Sequence, residues 1–148
     1  MLQGLAGAET HFDFILYKHG PYSFELSDEL SAMRADGLIS LRVQAHGYGP
    51  TILTETAADK LIERFPKTTR RHAPLIEFVA AKLGCKTVVE LERLATAFFV
   101  ANEHDECSES AIGARVNRLK PHVEVEQARD AARTILAWRR EAGQLQSQ

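Results

Sequence analysis

A chain of 148 residues, 45% hydrophobic and 26% charged, has the makings of one globular domain or two small joined ones, and excludes a disordered polymer. A formal net charge of −2 excludes a whole-molecule field for nucleic acid or an anionic membrane, so any basic site must be a local patch. Two cysteines, no stretch near the roughly 20 apolar residues that span a bilayer, and an opening MLQGLAGAET with no basic region before an apolar run predict no membrane segment, a cytoplasmic protein and reduced thiols.

The front of the chain reads as strand, helix, hairpin, helix. From Thr10 to Tyr17, Phe12, Phe14 and Leu16 alternate with His11, Asp13 and Ile15, a period of two that predicts a strand with one buried face. Gly20-Pro21 reads as a turn, and Ser23 as the cap of a helix from about Phe24 to Asp36 that Gly37 closes in a left-handed conformation. Leu38 to Val43 alternates again and reads as a strand. Residues 46–50 form the next loop, 51–53 the returning strand, and Thr54 the cap of a helix to about Phe65.

The back of the chain is all helical. Ala73-Pro74 opens a helix to Leu83, because proline is tolerated in the first turn. Thr87 and Glu90 have the spacing of a capping box, starting a helix to about Ala101 with Val88, Leu91, Leu94, Ala95, Phe98 and Phe99 inward. A polar loop, NEHDECSE, separates it from a helix over 110–119. The last helix runs from Val125 to about Ala142, with Ala128, Ala131, Ile135 and Trp138 along one side and a frayed end after it.

The fold class expected is therefore mainly α with a small antiparallel β-sheet. It divides into a winged-helix-like subdomain over 1–66 and a helical subdomain over 67–148, packed as one globular unit. Between about residues 22 and 65 the order of elements resembles winged-helix proteins, with the helix from Phe24 in the DNA-reading position and the hairpin as the wing. Charge argues against that use. The helix and its end hold Glu25, Asp28, Glu29 and Asp36 against Arg34 alone, and such a surface repels phosphates. Only about 20 residues precede this helix, where a full helix-turn-helix needs two helices. With MLQGLAGAE as the tail of a first helix, either the fold is a variant or the natural start is longer.

The stretches YKHGPYSFELSDEL (17–30), DGLI (36–39), LTETAADKL (53–61), ELERLATAFFV (90–100) and NRLKPHVEVEQARDA (117–131) resemble the YwgA-like bacterial proteins and, more distantly, the Panacea antitoxin domain. Tyr17, Gly20, Pro21, Tyr22 and Ser23 are the most specific part of the likeness. The resemblance implies a helical, winged-helix-like protein with a fuller first helix, no known enzyme activity, and relatives that neutralise toxins or act as adaptors.

No catalytic residue, cofactor or metal site is expected. His104 and Cys107 stand three apart in the polar loop, but a structural zinc needs four ligands and no second pair has matching spacing. Cys85 follows Gly84 without an activating neighbour and reads as a buried or half-buried structural thiol. There is no nucleophile elbow, phosphate loop or dinucleotide fingerprint. Lys67, Arg70, Arg71 and His72 form one basic group ahead of a helix, Arg115, Arg118 and Lys120 a second, and Arg139-Arg140 a third. Each reads first as a solvated face, and the first two as a phosphate or acidic-partner surface if they meet. The turn residues Tyr17, His19, Gly20, Pro21, Tyr22 and Ser23, with Tyr48, read first as packing and second as a partner surface. A protein partner is the leading expectation and a nucleic-acid-binding regulator the alternative, with a homodimer left open.

Overall fold

The computed structural model describes residues 2–6, 10–44, 49–103 and 108–146. Among them lie seven helices and two separate two-stranded antiparallel sheets, so the fold is mainly α with a small β component. The elements are α1 (Leu2–Ala6), β1 (Ile15–Tyr17), β2 (Gly20–Tyr22), α2 (Phe24–Ala35), β3 (Ile39–Arg42), β4 (Thr51–Thr54), α3 (Thr56–Arg64), α4 (Pro66–Leu83), α5 (Val88–Glu103), α6 (Glu109–Leu119) and α7 (Val125–Gln146).

Two compact units form, and they differ from a division at residue 66. One takes residues 1–22 together with 73–148, and the other takes 23–72. The N-terminal segment joins the helical unit because its apolar residue Leu5 enters that unit's core, with Phe98, Ile112, Ile135 and Trp138. The boundary falls inside α4, at Pro74's doorstep. Pro74 has no N–H for the Arg70 carbonyl, so the helix lacks a ladder bond there.

In the larger unit the core lies between α5, α6 and α7. Ala97, Val100, Ala101, Ile112, Val116, Ala128, Ala132 and Ile135 are wholly inaccessible. Val88 is 56% exposed, so the inward side of α5 begins later than its apolar residues suggest and runs through Leu94, Ala97, Phe98 and Ala101. Small residues permit this close packing. A Cβ on Gly113 would come within 3.1 Å of the Arg129 backbone nitrogen, so α6 approaches α7 where only glycine fits.

The caps show which starts are written locally. Leu26 N–H donates to the Ser23 hydroxyl at 3.2 Å, and that hydroxyl donates to Glu25 at 2.8 Å. Thr87 and Glu90 form the expected reciprocal box, with the Thr87 N–H donating to Glu90 at 2.9 Å and the Glu90 N–H to the Thr87 hydroxyl at 3.3 Å. Gly37, at φ +69, closes α2 by donating to the Arg34 carbonyl.

Other boundaries correct the expectations. The strand expected from Thr10 is paired only over β1, because Gln3 takes the backbone of Phe12, donating to its carbonyl at 3.0 Å and accepting from its N–H at 3.1 Å. His11 adopts φ +54 there, which breaks an extended run. The alternation of burial survives even so, since Phe12, Phe14 and Leu16 are half-buried and His11, Asp13 and Ile15 exposed. Gly20-Pro21 is not the turn. Lys18-His19 turns the chain, and both Gly20 and Pro21 lie in β2, paired with Tyr17 and Leu16.

In the smaller unit α2 is followed by the β3–β4 hairpin, with Leu41 opposite Ile52, and then by α3. This is the expected order of helix, hairpin and helix. Thr54 ends β4, and Glu55 stands at the α3 cap without a side-chain bond. The proline at the first helical position of α4 is Pro66, so Lys67, Arg70, Arg71 and His72 lie within that helix rather than ahead of it. Asn102 and Glu103 extend α5, Glu109 opens α6, and α7 continues through the residues expected to fray at 144–146. Cys85, expected to be buried or half-buried, is exposed just past the end of α4. His46 and Tyr48, the His104–Cys107 pair and residues 147–148 lie outside the described residues.

Candidate functional site

The β1–β2 hairpin carries the residues of the sequence signature, and a buried cation fixes its backbone. Lys120 follows the last turn of α6, where Pro121 prevents the helix from continuing. Its side chain turns inward and is only 7% exposed. The ammonium donates to the Tyr17 carbonyl at 3.2 Å, donates also to the Lys18 carbonyl, and lies 3.0 Å from Glu92 Oε1. All three of its N–H groups therefore have an acceptor.

This corrects Lys120 as part of a basic patch. An ammonium shielded from water and satisfied by a carboxylate and two carbonyls has nothing left for a phosphate. Arg115 is half-buried on α6, and Arg118 remains exposed. Lys67, Arg70 and Arg71 are exposed on α4, in the other unit. Of the second group Arg115 and Arg118 are left, in the other unit from Lys67, Arg70 and Arg71.

What Lys120 holds in place is an aromatic pair. Tyr17 and Tyr22 lie 5.9 Å apart between ring centroids and are tilted by 43°, a favourable geometry for two rings. Tyr17 is 63% exposed and Tyr22 38%. Tyr17 thus packs across the hairpin against Tyr22, as the packing reading expects, and still leaves most of its surface open. Gly20 is buried at φ +118 with open space where a Cβ would stand, so backbone conformation, and not crowding, demands glycine there. His19 is exposed at the tip, Pro21 half-buried and Ser23 buried as the α2 cap.

No protein-family model matches this chain, and no curated protein matches it.

Two hollows adjoin the hairpin. Tyr17, Lys18, His19, Glu92, Lys120 and His122 line an open cleft of about 620 Å³, in which His122 Nε2 stands 3.7 Å from the same Glu92 oxygen that meets Lys120. Beside Pro21 lies a more apolar cavity of about 480 Å³, walled by Phe12, Phe14, Phe98 and Phe99, with Gln3, Asn102 and Glu103. The cleft offers backbone, two imidazoles and a cation already paired. The cavity offers ring faces. Both present contact area and not an activated nucleophile.

Glu92 went unnoticed in the sequence. It sits in an ordinary charged stretch of α5, and the cation it meets is far away in the chain, so no spacing rule connects them. The lysine's backbone acceptors are more distant still, 103 and 102 residues away. Among the described residues no helix is long and apolar enough to cross a membrane, and no three candidate metal ligands come together.

Proposed function

We propose that this chain is a non-enzymatic protein-binding or regulatory module of the cytoplasm, adaptor-like or antitoxin-like as its resemblance to the YwgA-like proteins implies, and that the β1–β2 hairpin is its recognition element. One observation carries the reading: Tyr17 is 63% exposed on a hairpin whose carbonyls are held by the buried Lys120. A tyrosine on a fixed backbone loses little freedom when a partner covers it, and its ring brings a large apolar face with a hydroxyl at the end. Such rings dominate many interfaces.

The test is co-purification from the native host at low salt with tagged wild type and a Tyr17→Ala variant, the eluates assayed for protein and for nucleic acid. A stoichiometric protein retained by the wild type and lost by the variant is the expected result. Identical eluates from both would sink the hairpin as the recognition element. Nucleic acid that leaves as salt rises would replace the protein partner with a phosphate backbone, bound through Arg70, Arg71, Arg115 or Arg118.

A further inference from the structure

The cavity beside Pro21 has walls that are held apart. Its four phenylalanines come from two places: Phe12 and Phe14 precede β1, and Phe98 and Phe99 stand on α5. Phe98 is buried and the other three are half-buried, around a space of about 480 Å³ that they leave open. Apolar rings ordinarily close on such a space, because both contact and lost exposure favour it. Here other bonds set their positions. Gln3 grips both polar groups of the Phe12 backbone, donating to its carbonyl at 3.0 Å and accepting from its N–H at 3.1 Å. Pro21 is placed by the hairpin ladder, opposite Leu16. The Arg139 guanidinium lies 5.5 Å from the centre of the Phe98 ring. All of these residues belong to one compact unit.

One polar group on the wall is oriented and, among the described residues, unused. Arg139 donates to Asn102 Oδ1, which distinguishes that oxygen from the amide nitrogen beside it. Asn102 Nδ2 is then the atom that lies 2.9 Å from where a Cβ on Gly4 would stand, and Gly4 and Asn102 line the cavity together. No described residue accepts a hydrogen bond from this nitrogen. The one charged side chain among the described lining residues is Glu103, which is exposed. Its carboxylate disfavours an anion in the same space.

We propose that this cavity binds a small, uncharged aromatic molecule that carries a carbonyl group. The ring stacks among the phenylalanines, where offset and edge-to-face contacts add to the burial of apolar area. The carbonyl accepts from Asn102 Nδ2, and Glu103 turns away carboxylates and phosphates. The volume falls within the roughly 300–1,000 Å³ of small-molecule sites. Walls that already stand apart need little rearrangement to admit such a ligand. The site does not rest on the Tyr17 reading, since a ligand here and a partner at the hairpin can each be present without the other.

The test is a titration of the full, isotope-labelled chain with 2-naphthamide, followed through its backbone and side-chain amide NMR shifts. Saturable shifts gathered at Gly4, Ala95 and the Asn102 side chain are expected. The carboxylate analogue, 2-naphthoate, should bind several-fold more weakly, because its charge meets Glu103. Asn102→Asp keeps the oxygen that Arg139 meets and replaces the donor with an acceptor, so it should weaken 2-naphthamide by about tenfold or more. The comparison of amide with carboxylate uses the wild type alone, so it stands even where the variant fails to fold. No saturable shift, shifts centred away from the cavity, a carboxylate that binds as tightly as the amide, or a folded Asn102→Asp protein that binds like the wild type would each overturn the proposal.

Discussion

Lys120 Nζ lies 3.0 Å from Glu92 Oε1, with only 7% of the lysine side chain and 15% of the glutamate side chain exposed. Two shielded charges at this distance are stable only as a pair, because removal of either strands the other in a poorly solvated place. The pair links the end of α6 to the second turn of α5, and the remaining lysine protons reach the hairpin carbonyls. The hairpin is therefore as firm as this one ammonium.

Substituting Lys120→Ala should destabilise the chain by up to about 3–5 kcal/mol, the cost of leaving a largely shielded carboxylate unpaired. Replacing both members, as Lys120→Met with Glu92→Leu, should recover much of that loss while still weakening the hold on Tyr17 and Lys18. Urea unfolding of the three proteins measures it. A single-variant loss below about 1 kcal/mol would place the pair among ordinary surface ion pairs and remove the brace from the account.

The elements whose signals are local were legible in the sequence. Ser23 and the Thr87–Glu90 box sit within three or four residues of what they cap, and Ala128, Ala131, Ile135 and Trp138 mark the buried side of α7 by spacing alone. Pro66 and Pro74 illustrate the limit. Both suit the first turn of a helix, and only the Thr69 bonds to the Phe65 carbonyl show that the turn begins at Pro66. The Lys18-His19 turn was hidden by Gly20-Pro21, whose residues favour turns generally but here serve a strand. The brace on the hairpin was illegible for another reason: Lys120 finds its acceptors through the tertiary fold, and a lysine beside arginines reads as a surface cation until its burial is known.

Glycine should behave oppositely at two helical positions. Gly113→Ala places a Cβ within 2.7 Å of Arg129 Cγ and 3.1 Å of its backbone nitrogen, so α6 and α7 must part. Overpacking of this sort costs roughly 1–3 kcal/mol, more than the approximately 1 kcal/mol that alanine gains over glycine in a helix. Gly143, on α7, has no atom of a described residue within 4 Å of a Cβ, so Gly143→Ala should keep the helix gain and raise the melting temperature. Thermal melts of the two variants, read by circular dichroism, should shift in opposite directions. A stabilised Gly113→Ala protein would show that the helices do not meet as described.

The core can be tested by truncation where nothing else changes. Ile135 is wholly buried on α7 among residues of α5 and α6, so Ile135→Ala should cost about 2–5 kcal/mol through lost transfer energy and the cavity left behind. Val88→Ala, at a side chain 56% exposed, should change the unfolding midpoint little. Comparable losses at the two positions would mean that α5 turns a different face inward.

Acid should weaken the start of α5 in a defined window. The Glu90 carboxyl is lowered from 4.5 to about 2, chiefly by the Thr87 backbone N–H, then by the Thr87 hydroxyl and by Lys86, 3.2 Å away. A carboxyl whose pKa falls on folding contributes stability that is complete above its unfolded value of 4.5 and is lost as pH drops from there to about 2. The group is open to solvent, so screening keeps the effect modest and added salt should reduce the Lys86 share. Glu90→Gln keeps the box's hydrogen-bonding shape but cannot ionise, so its stability should follow pH less steeply than the wild type through this window and converge with it at the acid end. Thr87→Ala removes the principal partner and should cost about 1 kcal/mol at neutral pH, the usual worth of a cap. Melting temperatures of the three proteins across the window give the answer, and parallel curves for wild type and Glu90→Gln would mean that the carboxylate's charge plays no part in the cap.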